Sequence, residues 1–197
     1  MEQTPTDRTH MTQIQRTMQR ALIFLLLLFW SVAEVHAQAY LGNTTKQVNL
    51  REGPGTDYPV LRSLVGGTQL FIASSETIDG FYEVIDIRTN TEGYVHSSFV
   101  QLGEPVKLNE EGVFTPAGRS ATQNPELQIY NNTRLALTLK MNEVTYQFQP
   151  QERRTLTVSS GSYNYRASAP GVIPDIGLER LDNRTIYTWE FYIITSR

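Results

Sequence analysis

The chain has 197 residues, with 17 basic and 20 acidic side chains for a net charge of −3, and no cysteine. A mildly acidic surface without a basic run argues against nucleic acid, whose binding rests on neutralising phosphates, and offers no polybasic patch to anionic lipid. The missing thiols exclude cysteine peptidases and cysteine-ligated zinc.

The first element is a targeting segment. Arg16 and Arg20 precede Ala21–Trp30, ten apolar residues without interruption, and the stretch ends in the small-x-small run Ala37-Gln38-Ala39. Charge, short apolar core and small residues in that order form a secretory signal peptide, here residues 1–39, with Met11 and Met18 as alternative starts. A retained membrane anchor would need about 20 apolar residues. The expected product is residues 40–197, periplasmic or extracellular, with no stable membrane span after cleavage. For an exported chain, the absence of cysteine fits a bacterial envelope better than a small disulfide-stapled secreted domain.

Beyond residue 39 no helical periodicity appears. Apolar residues alternate with polar ones in short runs: Leu70 and Ile72; Leu135, Leu137, Leu139 and Met141; Tyr163, Tyr165 and Ala167; Tyr187, Trp189 and Phe191. Period-two runs cut by Gly, Pro, Asn and Asp predict half-buried strands, so the fold class is all-β. Residues 40–103 form the first unit, punctuated by Gly53-Pro54-Gly55, Gly66-Gly67 and Asp79-Gly80. Gly53 and Gly55 are expected to take positive φ around a proline that withholds its amide, and Asp79-Gly80 to close a hairpin.

The runs VNLREGPGTDYPVLRSLVGGTQLFI, DGFYEVI and EGYVHSSFVQL, spanning about Lys46 to Leu102, strongly resemble the bacterial SH3-like (SH3b) domain family. The resemblance rests on Asn49, Arg51, Gly53-Pro54-Gly55, Tyr58, Val60, Gly67-Thr68, Gly80-Phe81-Tyr82, Gly93-Tyr94-Val95 and Ser97-Ser98-Phe99-Val100 in one order. It implies a small barrel that serves as an extracytoplasmic binding module for peptidoglycan or an extended peptide. Phe81 and Tyr94 stand where the family commonly has tryptophan. The aromatic residues Tyr58, Phe81, Tyr82 and Tyr94 are the candidate ligand contacts, weighed against simple packing in a small barrel. Asn49 and Arg51 are expected as internal hydrogen-bonding partners.

Residues 104–125, with three prolines and three glycines from Gly103 onward, read as a linker containing at most a short strand near Val113. Residues 126–197 read as six strands of a separate β-sandwich. Their run LTVSSGSYNYRASAPG resembles the tyrosine corner of fibronectin-type and immunoglobulin-like sandwiches, with Tyr163 as its tyrosine. Ala169–Arg184 reads as a long packed loop, and Tyr187, Trp189 and Phe191 as core rather than a sugar-stacking platform.

No active site emerges. His96 is the single histidine beyond the signal segment, expected exposed on the barrel, and neither metal-ligand spacing nor a nucleophile elbow is present. The carboxylates Asp175 and Glu179 are the one pair a glycosidase reading could use. The expectation is therefore a non-enzymatic envelope protein without cofactor or metal. The alternative is an accessory subunit that uses both β domains to contact another envelope protein.

Overall fold

The computed structural model describes residues 38–193; the signal segment up to Ala37 lies outside them. Among the described residues there is no α-helix, only a 3₁₀ turn at Ser97–Phe99, and no helix is long and apolar enough to cross a membrane. Alternation works as elementary strand geometry requires: successive side chains point to opposite faces, so in most strands one face is the more buried.

Seven strands build the barrel: β1 (Tyr40–Thr44), β2 (Val48–Arg51), β3 (Val60–Leu64), β4 (Gln69–Ile72), β5 (Phe81–Asp86), β6 (Thr91–His96) and β7 (Val100–Pro105). They pair antiparallel in the order β3-β2-β6-β5-β4-β1-β7. Leu50, Leu64, Leu70, Ile72, Val84 and Val95 meet inside as a dry core. Asp79 and Gly80 both take positive φ, and Ile78 and Phe81 exchange backbone hydrogen bonds of 2.9 and 2.8 Å, the two-residue hairpin that this dipeptide signals.

The Gly-Pro-Gly turn differs from expectation. Neither Gly53 nor Gly55 is among the positive-φ residues. They are glycine for want of room, because the Tyr58 ring lies against the turn. A Cβ on Gly53 would sit 2.3 Å from the Tyr58 ring, and one on Gly55 would meet Asp57 at 2.5 Å and the ring at 3.2 Å.

Eight strands follow rather than six: β8 (Thr115–Arg119), β9 (Glu126–Asn131), β10 (Leu137–Met141), β11 (Val144–Phe148), β12 (Arg153–Thr157), β13 (Gly161–Ser168), β14 (Asp175–Leu181) and β15 (Thr185–Phe191). Two four-stranded sheets, β11-β10-β13-β14 and β12-β9-β15-β8, enclose one core that includes Leu127, Ile129, Leu139, Phe148, Tyr165 and Tyr187. The arrangement is a β-sandwich. One extra strand, β8, comes from the segment read as a linker and pairs with β15. The other, β14, lies within the run read as the loop Ala169–Arg184 and pairs with β13 along its length. The Tyr163 hydroxyl donates to the Ser159 carbonyl at 2.7 Å, tying strand to backbone four residues upstream as a tyrosine corner does.

Barrel and sandwich share an apolar seam. Phe71, Ile85 and Ile87, on the barrel face opposite its core, pack with Ala39 and with Ile176 of β14. Asn90 Nδ2 reaches Thr138 Oγ1 at 3.0 Å, and Arg166 pairs with Glu92.

Candidate functional site

Two open concavities border residues of functional chemistry. The first lies on the barrel, outside its core. On β5, Phe81, Glu83 and Ile85 alternate with Tyr82 and Val84, and the register sets Phe81 opposite His96, Tyr82 opposite Val95 and Glu83 opposite Tyr94. Phe81, Glu83, Tyr94 and His96 therefore share the outer face, joined by Arg51, which lies opposite Tyr94 on β2. Tyr82 falls on the other face and packs against the barrel core. Of the four aromatic candidates, register brings Phe81 and Tyr94 to one side and takes Tyr82 inward, and Phe81 alone of the four lines the concavity.

Their environments differ. Tyr58 is exposed over the Gly-Pro-Gly turn. Tyr94 is half-buried, and burial, followed by the nearby Glu83 and Tyr58, raises its hydroxyl pKa above the ordinary tyrosine value. Phe81 is buried, with its ring edge-on to His96 at 5.1 Å between centroids. His96 in turn meets Phe99 at 5.8 Å. The histidine is not the exposed side chain expected. It is half-buried, its Nδ1 lying 2.8 Å from Ser98 Oγ and accepting from the Ser98 backbone N–H at 3.3 Å.

Phe81, His96 and Phe99 floor a groove of about 510 Å³ whose wall includes Val48, Asn49 and Arg51. Arg51 does the internal work expected of it, its Nη1 donating to the Thr56 and Tyr58 carbonyls at 3.0 and 2.8 Å. The same side chain also borders the groove. Asn49 stands exposed on its wall. Lys46 Nζ lies 4.5 Å above the Phe99 ring. The floor is apolar and aromatic, the rim carries the amides of Gln47 and Asn49 and the Arg51 guanidinium, and the trough is open to solvent. That combination suits an extended chain whose apolar groups lie on rings while its backbone and carboxyl groups meet the rim. Sequence reasoning missed His96 and Phe99 as groove residues. The available signal was the run His96-Ser97-Ser98-Phe99, where a 3₁₀ turn places two rings on one side.

The second concavity, about 700 Å³, lies on the outer face of the β12-β9-β15-β8 sheet and includes Tyr130, Arg153 and Thr188.

The acidic pair does not assemble a hydrolytic centre. Asp175 and Glu179 stand four residues apart on β14, roughly 13 Å along a strand, beyond the roughly 5–9.5 Å separation that glycosidases use. Each has its own partner. Asp175 Oδ2 accepts from the Tyr165 hydroxyl at 3.1 Å, and buried Glu179 accepts from the backbone N–H groups of Val113 and Phe114. Among the described residues no three His, Asp or Glu side chains converge as metal ligands would.

Residues 46–101 match the family model of the bacterial SH3 domain, just over a quarter of the chain. Neither the curated proteins nor the solved structures yield a match. Over residues 46–101 the barrel that carries the aromatic groove is similar to the bacterial SH3 domain, a module that commonly binds peptidoglycan or protein.

Proposed function

We propose, from the similarity to the bacterial SH3 domain over residues 46–101, that this chain is an exported, non-enzymatic binding protein of the bacterial cell envelope. Its barrel holds the peptide part of peptidoglycan, or another extended peptide, in the groove floored by Phe81, His96 and Phe99. The observation that carries this reading is that groove itself: three rings in edge-to-face contact, with Asn49 and Arg51 on the adjacent strand forming its wall. Stacking and shape supply the affinity, because a chain of net charge −3 has little long-range attraction for an anionic polymer. Export is supported by the Arg16–Ala39 pattern of charge, apolar core and small residues. The separate hydrogen-bond partners of Asp175 and Glu179 favour binding over hydrolysis.

Co-sedimentation with purified sacculi tests the reading. The wild-type protein should pellet with the wall and release no muropeptides, and Phe99→Ala should weaken pelleting while the far-UV spectrum stays unchanged. Failure to pellet, together with retention on an envelope protein, would shift the function to an accessory subunit. Release of soluble muropeptides would make it an enzyme.

A further inference from the structure

The outer face of the β12-β9-β15-β8 sheet is unusual in what it lines up. Register places Thr155 opposite Gln128, Gln128 opposite Thr188, and Thr188 opposite Thr115. With strands about 4.8 Å apart, these four exposed side chains form one straight row roughly 14 Å long across the sheet. A second row lies beside it: Arg153, Tyr130 and Glu190. Arg153 Cζ sits 3.4 Å from the centre of the Tyr130 ring, and Glu190 Oε1 accepts from Asn132 Nδ2 at 2.6 Å. Tyr192, two residues beyond Glu190, is 61 % exposed. The concavity of about 700 Å³ is bordered by both rows and by Tyr192.

The chemistry of the first row narrows the ligand. Hydroxyl and carboxamide groups each donate and accept hydrogen bonds, so the row matches a partner bearing groups of the same dual character. No charge stands in the row, Arg153 and Glu190 offset one another on either side of Tyr130, and Arg154, which also borders the concavity, is paired with Glu152 at 3.5 Å, which disfavours an anionic polymer. Val113, Ile129 and Trp189 border the concavity among these polar side chains, a mixed lining that suits a hydrophobic helix less than a partner with both polar and apolar faces, and strand addition would use a sheet edge rather than a face. An uncharged sugar chain satisfies every term: hydroxyls for the Thr-Gln-Thr-Thr row, and a pyranose face for the exposed Tyr192 ring.

We infer that the sandwich carries a second binding site, for an uncharged glycan, along the Thr155-Gln128-Thr188-Thr115 row. It uses none of the barrel residues, so it stands or falls apart from the peptide groove. The probes are the tetramers of N-acetylglucosamine and of glucose, titrated into the full exported chain while amide NMR shifts are followed. Shifts should concentrate on Gln128, Thr155, Thr188 and Tyr192, persist at high salt, and leave His96 and Phe99 still. Gln128→Ala and Tyr192→Ala, both at exposed positions, should each weaken sugar binding about three- to tenfold without altering the far-UV spectrum. The inference is overturned if neither tetramer shifts these residues at millimolar concentration, or if both variants bind as the wild type does. It is equally overturned if the same resonances broaden with protein concentration alone, which would make the face a contact between two copies. Peptide-induced shifts in the barrel, read in the same sample, separate failure here from failure of the peptide groove.

Discussion

Glu179 holds the turn that precedes β8 against β14, and removing its carboxylate should show it. It is 8 % exposed, and Oε1 accepts from the N–H of Val113 and, at 2.9 Å, from that of Phe114. Gly112 turns beside it with φ +73°, where any Cβ would strike the carboxylate. Glu179→Ala leaves two donors without an acceptor, one of them fully buried, and opens a small void. At about 1–3 kcal/mol for each stranded group, with the half-buried Val113 N–H at the low end, the loss should be about 3 kcal/mol. For a folded unit of this size that is a fall in Tm of roughly 6–12 °C. Trp189 reports the event, because its ring packs edge-on against Phe114 at 5.6 Å; its emission should shift to the red as Phe114 loosens. Glu179→Gln discriminates further. Burial raises the Glu179 pKa above 4.5, outweighing the two backbone hydrogen bonds that lower it. A raised folded-state pKa favours the protonated form, so this contribution is complete below about 4.5 and is lost as pH rises through the higher folded value. Glutamine keeps an acceptor and removes that loss, so the variant should match or exceed the wild type at neutral pH, with a flatter pH profile above pH about 4.5. A Glu179→Ala protein that melts within about 0.5 kcal/mol of wild type, with unchanged Trp189 emission, would refute the reasoning.

Three further expectations concern processing and packing. Cleavage after Ala37-Gln38-Ala39 should leave an exported chain that begins at Tyr40; intact mass of the exported protein checks this, and a mass that retains Trp30 would contradict it. Tyr163→Phe, which deletes the bond to Ser159, should cost about 1 kcal/mol in chemical denaturation, and an unchanged midpoint would leave the tyrosine corner without an energetic role. Ile176→Ala, at the seam with Phe71, Ile85 and Ile87, should cost about 2 kcal/mol and separate the calorimetric transitions of barrel and sandwich; one unaltered transition would show that the seam does not couple them.

Period-two alternation carried most of the fold, and its failures have physical causes. The strand β8 reads Thr-Pro-Ala-Gly-Arg and is exposed throughout, an edge strand with one neighbour, so it has no apolar alternation to read. In β14 the inward positions include Asp175, Gly177 and Glu179, and prolines precede it at 170 and 174. Its half-buried Asp175 and buried Glu179 find partners only through tertiary contacts that local sequence does not disclose. The role of Gly53 and Gly55 was misread for a similar reason, since the Tyr58 ring that needs the space is not visible in the turn itself. The groove was partly legible. Phe81 and Tyr82 are adjacent on one strand, so simple alternation already forbids both from one surface, whereas the pairing of His96 with Phe99 depends on a 3₁₀ turn that polar Ser97-Ser98 only hints at.

The central claim, that the barrel groove is the peptide site, is tested most directly by amide NMR of the exported chain titrated with muropeptides and with extended peptides. The groove predicts shifts at Asn49, Arg51, Phe81, His96 and Phe99, a weak dependence on salt, and an affinity loss of about 1–3 kcal/mol for Phe99→Ala, while Tyr82, packed on the barrel core, stays still. Peptide-induced shifts confined to the sandwich, or none with any of these ligands, would contradict it.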